Sequence, residues 1–219
     1  MAGFDLKEAL TKAFRETALM SGISLLAAVI IGGVLGLLLY TTSSRLFMKN
    51  RIVNQTAGVI INVVRSVPFL ILLVLLIPLS KAVVHTTIGP TAVVIPLSIV
   101  AIAFFARLAD ASFADVNQGV VEAAISTGAS KWSVIVRILL PEALPSLVRN
   151  ITVTAVSIIG FSAMAGTVGG GGIGDLAIRY GYQRYQTDVM LICVALLILL
   201  VQGIQIVGDL IAKLLDKKR

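Results

Sequence analysis

The sequence predicts an all-α integral membrane protein with five transmembrane helices, and two observations carry that fold class. Of 219 residues, 58% are hydrophobic and 13% charged, and the mean hydropathy is +1.00. A soluble domain of this length carries about a quarter charged residues. The apolar residues also gather in uncharged runs, 17–44, 82–106 and 150–174, and a helix needs only about 20 residues to cross the hydrocarbon core.

Composition narrows the function classes. A net charge of +7 and a pI near 9.9 would suit a nucleic-acid partner in a soluble chain. In a membrane protein, basic residues accumulate in cytoplasmic loops instead, so no nucleic acid is expected. The single cysteine, Cys193, lies inside an apolar run and cannot form an intramolecular disulfide. The start, MAGFDLKEAL, carries acids and no short apolar stretch with a cleavage site, unlike a secretory signal peptide.

In chain order, Leu6, Leu10 and Phe14 recur at helical spacing among charges. That pattern predicts a short interfacial helix within residues 1–16, with a polar tail as the alternative. The first span is expected at 19–40, where Gly32, Gly33 and Gly36 offer a face for close helix packing. The second is expected at 55–79 as one helix kinked at Pro68. Arg65 then lies toward its cytoplasmic end, able to snorkel or to pair. Residues 80–90 read as a loop with a solvated His85.

The third span is expected at 91–110, kinked at Pro96, with Arg107 and Asp110 spaced to pair. The fourth, 150–168, runs into GFSAMAGTVGGGGIG, residues 160–174. So much glycine predicts helix to about 168 and then irregular backbone, tolerated at that depth only where it is buried or lines a cavity. The fifth span is expected at 189–208, before a basic tail of Lys213, Lys217, Lys218 and Arg219. No repeat or separate soluble domain is visible, so residues 1–219 read as one domain.

Residues 122–141, EAAISTGASKWSVIVRILLP, are too polar to span. They read as two short helices around a break. Glu122, Ala123 and Ala124 open the first, and Gly128 supplies a positive φ at its end. Ser130 caps the second, whose face is Trp132, Ile135, Ile138 and Leu139, and Pro141 and Pro145 stop it. Such a segment is either an amphipathic connection or a docking knob for another protein.

The spacing E-A-A, three residues, Gly, nine residues, I-x-L-P resembles the signature of the membrane subunits of ABC importers. Glu122, Ala123, Ala124, Gly128, Ile138, Leu140 and Pro141 carry it. The resemblance implies a type I ABC importer fold in which 122–141 is a coupling helix seated on a cytoplasmic ATPase subunit. With that segment in the cytoplasm, loop 41–54 and the C-terminus lie there too, and the N-terminus lies outside. Arg45, Lys49, Arg51, Arg107, Lys131, Arg137, Arg149, Lys213, Lys217, Lys218 and Arg219 are then inside. Lys7, Lys12, Arg15, Lys81, Arg179 and Arg184 are outside, a bias that follows the positive-inside rule.

No catalytic constellation is visible. The run Gly169 to Gly174 lacks the Lys-Ser or Lys-Thr that a phosphate-binding loop places after its last glycine. One His and one Cys offer no metal ligand set. The chain is therefore expected not to be an enzyme and to hold no cofactor. On a helix, Ser157, Phe161, Met164 and Val168 share one face. That face either packs against a neighbouring helix or forms an apolar gate across a path.

RSVPFLILLV (65–74), LLPEALPSLV (139–148) and the 160–174 glycine stretch resemble the methionine-uptake branch of these permeases. The resemblance implies a homodimer of five-helix subunits in the bacterial inner membrane, with two ATPase copies that bind ATP and magnesium. It also implies an extracytoplasmic, often lipid-anchored, binding protein delivering D- or L-methionine. By the same resemblance, Met164 is expected to fall where paired methionines close the outer side of the path. The alternative is a permease of the same fold for another amino acid or a short peptide. An ATP-independent channel or secondary transporter would more often carry intramembrane carboxylates or repeated halves.

Overall fold

Asp5 starts the first helix: its Oδ1 accepts the Lys7 N–H at 2.9 Å and the Glu8 N–H at 3.3 Å. The computed structural model describes residues 5–44 and 46–216. Arg45, Lys217, Lys218 and Arg219, four of the charges assigned to one side of the membrane, lie outside the described residues, as do residues 1–4.

Helix α1 (Leu6–Ser43) is continuous over 38 residues, a length of roughly 57 Å at 1.5 Å per residue. Among the described residues, those expected to form a separate interfacial helix belong to α1 itself. Its first turns find a tertiary partner instead: Leu6, Ala9, Leu10 and Ala13 pack against Ile173, Leu176, Val189 and Cys193. Further along, α1 widens into a π turn at Ala28–Gly32. Gly32 and Gly36 then lie directly on the backbone of the third span, where a Cβ would stand 2.8 Å from the Ile102 carbonyl and 2.7 Å from that of Ala106. Such contact supplies dispersion attraction between helices, which inside a bilayer replaces the hydrophobic effect as the packing force.

The second span is not one kinked helix. α2 (Arg51–Ser66) and α3 (Phe69–Leu75) meet at 103°, and α4 (Ile77–Val84) occupies part of the expected loop. Pro68 disfavours helical backbone at Val67, so both residues are extended, at ψ 127° and 134°, and the chain turns sharply. Among the described residues four helices are thus long and apolar enough to cross a membrane, with a fifth crossing if the bent pair counts as one.

α5 (Pro90–Ala114) is the central element, with Leu97, Phe105, Ala106 and Phe113 almost fully buried among its neighbours. Its Pro96 is buried within an unbroken helix. Arg107 pairs with Asp110 at 3.4 Å, as the spacing predicts, and also donates to Asn62 Oδ1 of α2 at 3.1 Å. Arg65 is exposed and forms no ion pair among the described residues.

After α6 (Gln118–Ser126), α7 (Lys131–Val168) runs unbroken for 38 residues and includes the fourth span. Pro141 and Pro145 therefore do not stop a helix. A π turn at Ile135–Leu139, with the Leu140 N–H bonded to the Ile135 carbonyl five residues back, widens the backbone just where the Pro141 ring would meet the preceding turn. α8 (Gly172–Leu176) and α9 (Thr187–Leu215) complete the chain, α9 lying along α7.

Side-chain bonds tie the helices at both ends. At one end, Gln118 donates to the Tyr40 hydroxyl, and Arg149 pairs with Asp216 at 3.4 Å. At the other end the Gly89 N–H donates to the Gly169 carbonyl at 3.0 Å. The 118–141 segment, the 44–50 connection and the end of α9 thus share one end, and the start of α1 lies at the opposite end.

Candidate functional site

The projecting segment is built from strong local signals. Asn117 caps α6 through the Gly119 N–H at 2.9 Å. The helix therefore begins at Gln118, four residues before the expected opening at Glu122. Gly128 has φ +87°, as its position predicts. Its N–H donates to the Ile125 carbonyl and the Ala129 N–H to that of Ala124, the paired bonds of a Schellman cap. Ser130 Oγ accepts the Ser133 N–H at 3.3 Å, capping α7. The result is a helix, a tight reversal and a second helix.

The motif residues divide by exposure. Glu122, Ala123, Gly128 and Pro141 are exposed, while Ala124, Ile138 and Leu140 are half-buried. Glu122 joins none of the ion pairs among the described residues. Trp132, expected on the anchoring face, is 71% exposed. The anchors are the expected Leu139 together with Val121 and Val134, each fully buried in a cluster with Tyr40, Phe47, Phe113 and Val116. Of the expected face, Leu139 is fully buried, Ile135 packs against the same cluster and Ile138 is half-buried, so Trp132 is the residue that departs from it. Lys131 adds a bond the sequence did not signal: its Nζ donates to the Phe47 carbonyl at 2.8 Å, across 84 positions.

The second candidate group lies along α7. Ser157, Phe161, Met164 and Val168 fall on one strip, with Ile158, Ile159, Ser162 and Ala165 buried behind it. Ser157 Oγ donates back to the Val153 carbonyl, so its polarity is satisfied within the helix. Phe161 stacks on Phe69 of α3, ring centroids 5.0 Å apart. Met164 is 52% exposed and Val168 40%. A Cβ at Gly160 would meet nothing within 4 Å. Much of the strip is therefore uncovered by its own chain.

The glycine stretch takes the form its composition predicts. Helix gives way to a 3-10 turn at Gly166–Val168, Gly169 and Gly171 each have φ +78°, and helix resumes at Gly172. The loop is held by α1, which sequence reasoning missed: Glu16 Oε2 accepts the Gly172 N–H at 2.8 Å and Thr17 Oγ1 the Ile173 N–H at 2.9 Å. Glu16 and Thr17 were legible only as helical residues, because their partners lie 156 positions away. Beyond the loop, Asp175 accepts a hydrogen bond from Arg179, which pushes that guanidinium's pKa above its already high ordinary value. Among the described residues, no three His, Cys, Asp or Glu side chains gather as a metal site.

A bundle of long apolar helices with an anchored knob at one end defines a membrane-embedded protein. Residues 28–219 match the binding-protein-dependent transport system inner membrane components, and the chain belongs to that family. It is 45% identical over 203 residues to the probable D-methionine transport system permease protein MetI of Vibrio cholerae, covering 93% of this chain and 90% of the relative. It is 44% identical over 181 residues to the methionine import system permease protein MetP of Bacillus subtilis, covering 83% and 82% of the two chains. A solved chain of the MetNI methionine ABC transporter, in inward-facing form, superposes with a TM-score of 0.93 at 36% identity, covering 98% of this chain and all of that one. The fold is that of a type I ABC importer permease.

Proposed function

We infer that this chain is the transmembrane permease subunit of an ATP-driven importer of methionine, and that ATP hydrolysis belongs to a separate ATPase subunit. The observation that carries the reading is the full-length likeness to a methionine ABC transporter chain, joined to relatives described as methionine permeases.

In this reading, two copies pair across the uncovered α7 strip, and Met164 with Val168 narrows the path between them. Two ATPase subunits each receive a knob, with Glu122, Ala123 and Gly128 at the contact. ATP binding draws the knobs together, and the buried Val121 and Val134 carry that motion into α1 and α5. The bundles rock, the path opens outward, and a binding protein delivers the amino acid. The knob end is cytoplasmic and the start of α1 lies outside. Lys49, Arg51, Lys131, Arg137, Arg149 and Lys213 stand toward the former and support that orientation.

Uptake of labelled methionine into vesicles holding this chain, its ATPase and its binding protein tests the reading. ATP-dependent accumulation, competed by unlabelled methionine, is expected. ATP consumption without methionine uptake would transfer the system to another amino acid or a short peptide. A chain that never associates with an ATPase would overturn the role of 122–141.

A further inference from the structure

An apolar groove of about 400 Å³ opens at the knob end of α1, apart from both candidate groups above. Its walls include Val34, Leu37 and Leu38 of α1 with Phe47 and Met48 of the following connection, and Lys131 stands among the lining residues. The α1 wall belongs to the last turns of a membrane-spanning helix, so the groove meets the bilayer near its boundary with water. Apolar walls at that boundary suit an acyl chain of the surrounding bilayer.

Lys131 is the one charged residue among those lining the groove. From Thr17 to Leu108 the sequence contains no Asp or Glu, yet Lys49 and Arg51 sit beside the lining residues Met48 and Asn50. Lys131 spends one N–H on the Phe47 carbonyl and forms no ion pair among the described residues, leaving two donors for an anion. Next to it, Trp132 is exposed, the residue type that settles at the headgroup level. Basic pockets against membrane helices on the cytoplasmic side bind anionic headgroups.

We propose that this groove binds an anionic phospholipid of the leaflet on the knob side, with an acyl chain along Val34, Leu37 and Leu38 and the phosphate on Lys131. Because Lys131 begins the helix that anchors the knob, the lipid sits where it steadies that segment. The assignment rests on the membrane placement of α1 and not on the substrate.

Native mass spectrometry of the full-length chain in detergent, titrated with phosphatidylglycerol or with phosphatidylcholine of the same acyl chains, tests it. Preferential retention of phosphatidylglycerol is expected. Lys131→Met should weaken that lipid about fivefold, the effect of one basic residue near a charged headgroup, and Lys131→Arg should restore it. Val34→Trp, placed on an exposed wall residue, should lower retention of both lipids by filling the trough, and it decides the matter if Lys131→Met fails to fold. Equal retention of the two lipids, or wild-type phosphatidylglycerol binding by both Lys131→Met and Val34→Trp, overturns the proposal. So does an ATPase subunit that shields Met48 and Lys131 from chemical modification while no lipid is retained, since the groove is then a protein interface. Binding is read by mass, so a failure here leaves the methionine reading standing, and the reverse also holds.

Discussion

The Glu16 carboxylate accepts the Gly172 N–H at 2.8 Å, fastening the first helix to the glycine loop from 156 positions away. With Thr17 Oγ1 on the next N–H, it satisfies two donors at the start of a helix too short to hold itself in place. Glu16→Ala should cost about 1–3 kcal/mol by leaving the amide of the buried Gly172 unpaired. Glu16→Gln, which keeps an acceptor, should cost less. Thermal unfolding in detergent measures both, and equal losses would show that the carboxylate does not act as a cap.

Gly36→Ala should separate α1 from α5. Its Cβ would stand 2.6 Å from the Ala109 Cβ, whereas one at Gly22 would meet nothing within 4 Å. Overpacking of this kind costs about 1–3 kcal/mol. Gly36→Ala should therefore lower the unfolding midpoint while Gly22→Ala leaves it in place. Equal midpoints for the two would refute close packing at Gly36.

Glu122→Lys should uncouple the transporter without disturbing the bundle, because Glu122 is exposed and holds no ion pair among the described residues. Uptake and permease-stimulated ATP hydrolysis should fall together by about tenfold, a change of about 1.4 kcal/mol. The helical signal should stay unchanged. Wild-type activity in both assays would remove Glu122 from the contact.

Met164→Gly should widen the proposed constriction, since the side chain is half-exposed on the uncovered strip. Proteoliposomes without ATP should then leak methionine severalfold faster than wild type. An unchanged leak rate would assign the strip to packing alone.

Much of this architecture was legible from local signals. Apolar run length pointed to the four long helices found among the described residues, because a helix in lipid must satisfy its backbone internally and the bilayer sets its length. The Gly128 reversal and the Ser130 cap were readable because each depends on a few adjacent residues. The bend at Pro68 was harder. Proline marks a break, but only the neighbouring helices choose between a modest kink and the observed 103°. Pro141 misled in the opposite sense, because a π turn absorbed it.

The sequence by itself determined that the chain is helical and membrane-embedded, roughly where its long apolar helices lie, and which short polar segment interrupts them. Those properties follow from composition, run length and near-neighbour chemistry. Tertiary structure decided the extent of α1, the choice of Val121 and Val134 over Trp132 as anchors, and the bonds from Glu16 to Gly172 and from Lys131 to Phe47. Each joins or buries groups brought together from distant positions, and no local periodicity encodes which distant surface a side chain will meet.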